Sequence, residues 1–412
     1  MKMKRNRAIS SLLLILLVLS LAVPVSAAQA DGSGVYTIGV VVYNPDSQEM
    51  NMFMNYYKDY LEEGFPVKFI FSGEVYSAEE ENAFISAVKE QGAQGIISFL
   101  GMDVESTMSL CEENEMYYVL GSNILADEDY EAVKENPWFL GTVGPKMEDV
   151  YQSGRNMAEH FLGAEAKSFV IMTGGASKGN SLHAARAEGM LDVFEEQAGL
   201  VLTDTSDKLA VSEENVTLES EDGTITVTLC PDYTEGGKGL ENLEKAFSEG
   251  TCDVLMSAFH ASTYLDQISA QEQAQGSNIM VGAIDSFTEA NFEAIKEEDA
   301  FGNSKIDYVE GKYASMAGPA FAMVYNAVTG HPEANTADGT AVRLYQGFWT
   351  ANSRESFIEL YGYTTGIYEN AYSCNDLMQV IKVFSEEAAP EKLKELTEAY
   401  TVDDVKERIL GQ

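Results

Sequence analysis

The chain has few residues of the kinds that build metal centres and disulfide scaffolds. Among its 412 residues there are four cysteines and four histidines, and none of them is spaced as zinc ligands are. Four cysteines in so long a chain do not make a disulfide scaffold either. Cys230 ends one predicted strand and Cys252 precedes another, so a bridge between them depends on a strand order that the sequence leaves open. We expect no metal site and no cofactor.

Basic residues are also scarce. The chain has 26 lysines and arginines against 66 aspartates and glutamates, a formal net charge of −40. A chain of this charge repels nucleic acid and anionic membrane surfaces, so neither is an expected partner. Low-complexity segments are absent too. The hydrophobic content of 45% is typical of a folded protein, and the length favours two domains over one.

Residues 1–27 resemble a secretory signal peptide. Residues 1–7 are basic, residues 8–25 are apolar, and Val25-Ser26-Ala27 is a small-residue cleavage site. Because the apolar run is longer than usual for a signal peptide, an uncleaved membrane anchor is the alternative; Pro24 and the small residues after it favour cleavage. The signal peptide predicts an extracytoplasmic protein, periplasmic or secreted. No cysteine lies near the cleavage site, so we do not expect a lipoprotein.

From residue 36 onward, short apolar runs alternate with amphipathic segments, and this pattern is typical of β-α-β units. Apolar strands of this kind need both faces covered by helices. The predicted strands are 36–43, 66–71, 95–100, 116–120, 138–143, 168–172, 253–258 and 278–284. The sequence therefore predicts two α/β lobes in series, with the chain crossing between them more than once.

Three segments do not follow this alternation of strands and helices. Residues 215–219 and 224–229 are predicted as a β-hairpin, because Glu221-Asp222-Gly223 supplies a turn between them. Residues 341–350 are predicted as one strand. Residues 353–412 are predicted as a largely helical tail.

A serine-hydrolase interpretation arises at Gly175-Ala176-Ser177-Lys178-Gly179, which matches the G-x-S-x-G pattern of a nucleophile elbow. Ser177 follows a predicted strand, as the pattern requires. However, the next predicted helix begins several residues too late for a tight elbow. The chain order Ser, acid, His offers His260 only Asp253 as its acidic partner, and Asp253 lies at the wrong end of its predicted strand. We therefore expect a protein that is not an enzyme, with a Ser177 hydrolase as the alternative of another class.

A binding cleft is the remaining interpretation. In open α/β sheets, ligands bind beyond the carboxyl ends of the strands. The residues that follow the predicted strands are rich in hydrogen-bonding groups, with aromatic side chains among them. This mixture suits a small polyhydroxylated or amide-bearing ligand.

The order of several short motifs resembles that of the type I periplasmic sugar-binding proteins, whose fold also forms the effector domain of lac-repressor-type regulators. The resemblance covers about residues 36–350. It rests on IGVVVYN-P, GIISFLG, YYVLGSN, A-A-R-A-E-G-M, C-D-V-L-M-S-A, I-M-V-G-A-I-D and G-K-Y-A-S-M-A-G. No helix-turn-helix is predicted ahead of Tyr36, so the regulator branch of the family is not expected.

The resemblance implies two doubly wound parallel-sheet lobes, joined by a multi-strand hinge, that close on a ligand. It implies an N-terminal lobe of residues 36–143 with 310–340, a C-terminal lobe of 144–309 with 341–352, and a C-terminal extension of 353–412. The implied function is capture of a sugar-like ligand by a monomer that delivers it to the permease of an ABC importer. A receptor that presents its ligand to a membrane kinase or chemoreceptor is the alternative within binding.

The resemblance also implies which residues bind the ligand. Arg186 falls where the family places an arginine that bonds ligand hydroxyls, three residues before a helix glycine, and a planar guanidinium suits two adjacent hydroxyls. Asp285 lies near the family's aspartate, one residue later. Phe259, Trp138 or Trp349 could stack on a sugar ring. The full predicted set is Asn44, Asp46, Ser122, Asn123, Arg186, Phe259, His260 and Asp285.

Overall fold

The computed structural model describes residues 34–175, 180–233, 237–336, 338–365 and 371–410. The strands in chain order are β1 (Tyr36–Val41), β2 (Val67–Phe71), β3 (Gly95–Ser98), β4 (Tyr117–Gly121), β5 (Phe139–Gly144), β6 (Ser168–Met172), β7 (Val216–Glu219), β8 (Thr226–Cys230), β9 (Val254–Ser257), β10 (Met280–Ile284), β11 (Tyr308–Gly311), β12 (Val342–Tyr345) and β13 (Trp349–Ala351).

The α-helices are α1 (Gln48–Asn55), α2 (Glu62–Gly64), α3 (Ala78–Glu90), α4 (Val104–Glu113), α5 (Asp127–Val133), α6 (Met147–Leu162), α7 (Ser181–Ala198), α8 (Ser206–Ala210), α9 (Gly239–Glu249), α10 (Leu265–Gln275), α11 (Glu289–Lys296), α12 (Gly318–Val328), α13 (Arg354–Gly362), α14 (Cys374–Val380), α15 (Pro390–Glu398) and α16 (Val402–Leu410). A π-helix, Tyr56–Leu61, joins α1 to α2.

The strands form two sheets. The first has the order β12-β5-β4-β3-β1-β2 and is parallel throughout; the second has the order β13-β11-β10-β9-β6-β8-β7, with antiparallel edge strands β13 and β7. The central strands are buried along their whole length, as both-face coverage by helices requires. Each sheet with its covering helices is called a lobe below, and the predicted two-lobed α/β fold is confirmed.

Between β1 and β13 the chain crosses between the lobes three times. It leaves the first sheet at β5 for α6, which packs on the second sheet, and it returns from β11 to α12, which packs on the first. The third crossing lies between β12 and β13. The sequence predicted a single strand over 341–350 within the second lobe, but β12 pairs with β5 at the edge of the first sheet and β13 pairs with β11 in the second. Without β12 and β13, β5 and β11 would be exposed edge strands of the two sheets. Gln346-Gly347-Phe348 spans the distance between these two edges.

Two other segments also differ in detail from the sequence-based expectation. No strand was predicted at residues 305–309, which contain the start of β11, a fully buried strand of the second sheet. The predicted hairpin is present as β7 and β8, and β8 also pairs in parallel with β6, so the hairpin extends the second sheet.

The C-terminal extension packs on both lobes. Helix α13 lies against α11 and β13 of the second lobe, whereas α14 and α15 lie against α12 of the first. Its side chains Tyr372, Leu377 and Leu393 are completely buried and belong to the main hydrophobic core. The extension is therefore an integral part of the folded unit.

Candidate functional site

The carboxyl ends of β9, β10 and β11 meet the start of α1 between the two lobes. This region is called the cleft below, and it is formed by Glu49 of the first lobe, by His183, Arg186, Tyr233, Phe259, His260, Asp285 and Ser286 of the second, and by Lys312 at the crossing after β11. Arg186, Phe259, His260 and Asp285 were predicted from the sequence; the other five were not.

Helix α7 carries Arg186 into the cleft. Its first turn is capped by Asn180, whose Oδ1 accepts hydrogen bonds from the backbone N–H groups of Leu182 and His183. Helices α6 and α7 cross at two glycines: a Cβ on Gly154 would lie 2.0 Å from the carbonyl oxygen of Arg186, and a Cβ on Gly189 would lie 2.3 Å from that of Tyr151. The glycines therefore set how closely α7 approaches α6, and with it the position of Arg186.

The Arg186 guanidinium is anchored to the ends of two strands. Its side chain is 7% exposed, and Nη1 donates to the carbonyl oxygens of Ala258 (2.8 Å) and Ile284 (3.0 Å). Burial lowers its pKa to about 10, against the pull of the nearby carboxyl groups of Glu49, Asp285 and Glu310. Its Nε is buried without a hydrogen-bond partner in the described protein. A buried N–H donor without an acceptor destabilises the fold, unless a ligand or a water molecule accepts its hydrogen bond.

One wall of the cleft is aromatic. The His183 ring stacks on Phe259 at a centroid distance of 5.3 Å, and Phe259 packs against Tyr233 at 4.9 Å. His183 Nδ1 and Tyr233 Oη are 2.7 Å apart. Burial, followed by the charge of Arg186, holds the pKa of His183 well below its usual range, so the imidazole is neutral. Burial raises the pKa of the Tyr233 phenol to about 12.

Asp285 follows β10 directly. Asn291 Nδ2 donates to its Oδ2 at 2.7 Å, which orients the carboxyl group. Burial raises the pKa of Asp285, and the neighbouring His260 opposes that rise. Tyr43, at the end of the first-lobe strand β1, lies close enough to Asp285 and Glu49 for both to raise the pKa of its phenol, in addition to burial. Carboxyl groups from both lobes are thus close together.

Glu49 is the residue that joins the lobes in this region. Its Oε2 accepts a hydrogen bond from Ser286 Oγ (2.6 Å), and its Oε1 faces Lys312 Nζ (3.1 Å). Burial alone would raise the pKa of Glu49, but Lys312 and Ser286 outweigh it and the pKa is lowered. In the sequence Glu49 is one of many glutamates at a helix start, and nothing there distinguishes it.

The predicted first-lobe residues are engaged in local structure. Asn44 Oδ1 accepts from the backbone N–H of Asp46 (2.8 Å), which forms a turn before α1, and Asp46 itself is exposed. Ser122 is buried with a positive φ of 53°. Asn123 Nδ2 donates to the carbonyl oxygens of Phe99 and Leu100. The side chains of Asn44 and Asn123 therefore fix loops at the carboxyl end of the first sheet.

The two tryptophans pack on aromatic side chains that are not among the cleft residues. Trp349 stacks on Tyr313 at 3.9 Å, and Trp138 packs on Tyr117 at 4.9 Å. Neither has a ring contact with a cleft residue in the described structure. Phe259 is thus the one of the three predicted stacking side chains that lies in the cleft.

Ser177, on which the hydrolase alternative rests, lies outside the described residues. Cys111, Cys230 and Cys252 are free thiols, so the open question of a Cys230–Cys252 bridge is answered in favour of two separate buried thiols. In the described ranges no three His, Cys, Asp or Glu side chains group as metal ligands would. None of the helices described is both long and apolar enough to cross a bilayer.

No protein-family model matches the sequence, and no curated protein sequence matches it significantly. Solved structures do match the fold. An ABC-transporter solute-binding protein from Bacillus halodurans C-125 with bound myo-inositol superposes with a TM-score of 0.53 at 18% identity, over 81% of this chain and 99% of that one. A periplasmic solute-binding protein from Actinobacillus succinogenes 130z with bound D-allose gives 0.55 at 11% identity, over 79% and 99%.

A third match is the periplasmic arabinose-binding component from Shewanella sp. ANA-3, bound to L-arabinofuranose. Its TM-score is 0.52 at 14% identity, over 80% of this chain and 96% of that one. These proteins are covered almost completely, whereas about a fifth of this chain has no counterpart in them. At such low identity the likeness concerns the fold, and the chain has the fold of the type I periplasmic sugar-binding proteins, as its motif order predicted.

Proposed function

We propose that this protein captures a small, neutral, polyhydroxylated ligand, a sugar or sugar derivative, in the cleft between its lobes. The observation that carries the proposal is Arg186: a guanidinium anchored through Nη1 and buried, with Nε left unpartnered. A ligand hydroxyl is a suitable acceptor for that N–H. The three solved structures named above bind myo-inositol, D-allose and L-arabinofuranose, which supports this ligand class.

The surroundings of Arg186 favour the same chemistry. Phe259 and Tyr233 offer apolar ring surface for the C–H face of a sugar, and Asp285 offers acceptor oxygens for its hydroxyls. Of the predicted set, we assign Arg186, Phe259, His260 and Asp285 to ligand contact, together with His183 and Tyr233. We assign Asn44, Asp46, Ser122 and Asn123 to shaping the first-lobe loops that face the ligand.

We further propose that hinge closure is the signal that this protein delivers. Three chain crossings join the lobes, and the Glu49–Ser286 bond links them in the arrangement described here. A ligand that contacts both lobes stabilises the closed form over the open one. As an exported protein without a catalytic role, it would present the closed form to the permease of an ABC importer; a membrane kinase or chemoreceptor is the alternative recipient.

The test is a thermal-shift screen with sugars, polyols, nucleosides and amino acids. A ligand at a hundredfold its Kd adds about 2.7 kcal/mol to the free energy of unfolding, so a sugar or polyol should raise the melting temperature. Arg186→Ala should abolish the rise caused by a ligand that binds in the cleft. Arg354→Ala is the matched control, because Arg354 also donates to a backbone carbonyl oxygen, that of Lys296, but is not one of the cleft residues.

Two outcomes would contradict the proposal. If no sugar or polyol shifts the melting temperature, the ligand class is wrong. If the shift persists in Arg186→Ala, the ligand binds elsewhere. Labelling of Ser177 by a fluorophosphonate would instead support the hydrolase alternative.

A further inference from the structure

A second cavity, of about 460 Å³, lies where the two lobes meet the C-terminal extension. The first lobe contributes one face of α1 and of the π-helix, the second lobe contributes the start of α11, and the extension contributes the end of α13. The lining residues are Gln48, Asn51, Met52, Asn55, Tyr56, Asp59, Tyr60, Phe287, Thr288, Glu289, Ala314, Tyr361, Thr364 and Thr365. We call it the extension cavity.

The extension cavity is separate from the cleft. None of the nine cleft residues defined above lines it. Gln48 and Phe287, which do line it, are the chain neighbours of Glu49 and Ser286, and these two are hydrogen-bonded to each other. The Glu49–Ser286 contact thus lies beside the cavity.

A π-helix forms part of the cavity wall. Between α1 and α2, residues 56–61 adopt the wider π-helical turn. Such turns are rare and frequently occur at functional sites. Tyr56, at the start of the π-helix, donates from its phenol to the backbone oxygen of Tyr372 (2.7 Å), which ties this wall to the extension.

Thr364 provides an independent indication of a ligand. Its side chain is 2% exposed and lines the cavity, and its Oγ1 has no hydrogen-bond partner in the described protein. Thr365, next to it, donates from Oγ1 to the carbonyl oxygen of Tyr361 (2.9 Å). A buried hydroxyl without a partner is destabilising, and a hydrogen-bonding ligand in the cavity removes that cost.

The lining indicates the ligand's chemistry. Among the described residues, no lysine or arginine lines the cavity, while Asp59 and Glu289 do, so an anion is disfavoured. The amides of Gln48 and Asn55 and the hydroxyl of Thr364 can donate as well as accept hydrogen bonds. An ammonium group would satisfy only the acceptors, whereas a hydroxyl pairs with both kinds of group.

We propose that the extension cavity is a second binding site, for a small neutral polyhydroxylated compound. Because its walls come from both lobes and the extension, an occupant binds the arrangement in which these three parts meet and stabilises it. Occupancy would therefore favour the closed form even when the cleft is empty.

The experiment is isothermal titration calorimetry with myo-inositol, D-allose, L-arabinose and glycerol, and with tetramethylammonium and acetate as charged comparators. Asn55→Trp places a large ring at the mouth of the cavity from an exposed position. Thr364→Val removes the unpartnered hydroxyl with little change of shape. Lys58→Trp is the matched control, because Lys58 is exposed on the same π-helix but does not line the cavity.

We expect at least one neutral compound to bind with an affinity that Asn55→Trp abolishes and that Thr364→Val lowers about tenfold, the value of one hydrogen bond in a buried site. Lys58→Trp should leave it unchanged. This binding should persist in Arg186→Lys, which distinguishes it from binding in the cleft. The proposal is overturned if no binding event responds to Asn55→Trp or Thr364→Val, or if only the ammonium or acetate probe responds.

Discussion

Glu49 Oε2 accepts a 2.6 Å hydrogen bond from Ser286 Oγ, and this contact joins the first helix of the first lobe to the end of β10 in the second. The other carboxylate oxygen of Glu49 faces Lys312 Nζ at 3.1 Å, with the Glu49 and Lys312 side chains 23% and 14% exposed. The Glu49 carboxylate therefore contacts both the Ser286 hydroxyl and the Lys312 ammonium group. These three groups come from three separate parts of the chain and interact with one another. They do so only when the lobes are close together.

The first prediction concerns this contact. Glu49→Gln retains an acceptor for Ser286 but leaves the largely buried Lys312 without its carboxylate. We expect the free energy of unfolding to fall by about 1–3 kcal/mol, since breaking such a pair by removing one partner leaves an uncompensated charge. We also expect a larger radius of gyration, because the open form gains population. Urea denaturation and small-angle X-ray scattering measure the two effects.

Glu63→Gln is the control for Glu49→Gln, because Glu63 is exposed and lies near the end of the same helical segment. It should leave both measurements unchanged. An unaltered radius of gyration in Glu49→Gln would show that the contact does not hold the lobes together.

The second prediction concerns the crossing of α6 and α7. In Gly154→Ala the new Cβ would meet the backbone oxygen of Arg186 at 2.0 Å, and a backbone atom can move only if the whole helix moves. We expect a loss of about 1–3 kcal/mol of stability, as for other overpacked sites. Because α7 carries Arg186, ligand affinity should fall as well. Thermal unfolding and titration calorimetry measure the two losses.

Gly73→Ala serves as the control for Gly154→Ala, since nothing lies within 4 Å of a Cβ at Gly73. It should change neither stability nor affinity. If Gly154→Ala lowered stability yet bound ligand normally, Arg186 would not depend on the helix crossing.

The third prediction concerns pH. Burial raises the pKa of Glu310 to about 7, although Tyr308 and Asn156 donate hydrogen bonds to its carboxylate. A carboxyl group with a raised pKa in the folded state binds its proton more tightly there than when unfolded. Its contribution to stability is therefore complete below about pH 4.5 and is lost as the pH rises through about 7.

Glu310→Gln, which stays neutral, should become more stable relative to the unaltered protein by about 1–3 kcal/mol between pH 4.5 and pH 8. Chemical denaturation across this range measures the difference. Glu244→Gln, at an exposed position, should show no such trend. A difference that does not vary with pH would contradict the raised pKa of Glu310.

The fourth prediction concerns the thiols. Cys111, Cys230 and Cys252 are buried, and burial raises the pKa of Cys111 and of Cys230 to about 12, so their reactive thiolate forms are suppressed. A thiol reagent should leave all three unlabelled in the native protein and modify them after denaturation. Reductant should not alter the melting temperature. Mass spectrometry that found a Cys230–Cys252 bridge would contradict this.

The cleft shows which features can be predicted from sequence. Arg186 was predicted through the family resemblance, which rests on a short local motif that ends three residues later at Gly189. The absence of a Cβ at Gly189 lets α7 approach α6 closely. Phe259 and Asp285 were predicted because residues that follow parallel strands gather at one edge of a sheet. Glu49 and Lys312 were not predicted, because their significance lies in a pair 263 residues apart in the chain.

The two-lobed α/β fold could be predicted from sequence, because the alternation of apolar strands with amphipathic helices is visible in the local hydrophobic periodicity. The sequence also predicted that Arg186 stands near the start of a helix that follows a strand. Three features became visible only in the folded protein: residues 341–350 divide between two sheets, Glu49 joins the lobes, and the extension encloses a cavity. Each of these features depends on which distant segments of the chain meet in space: the pairing of sheet edges, the burial of charge and the shape of a cavity. Local sequence patterns do not specify those long-range contacts.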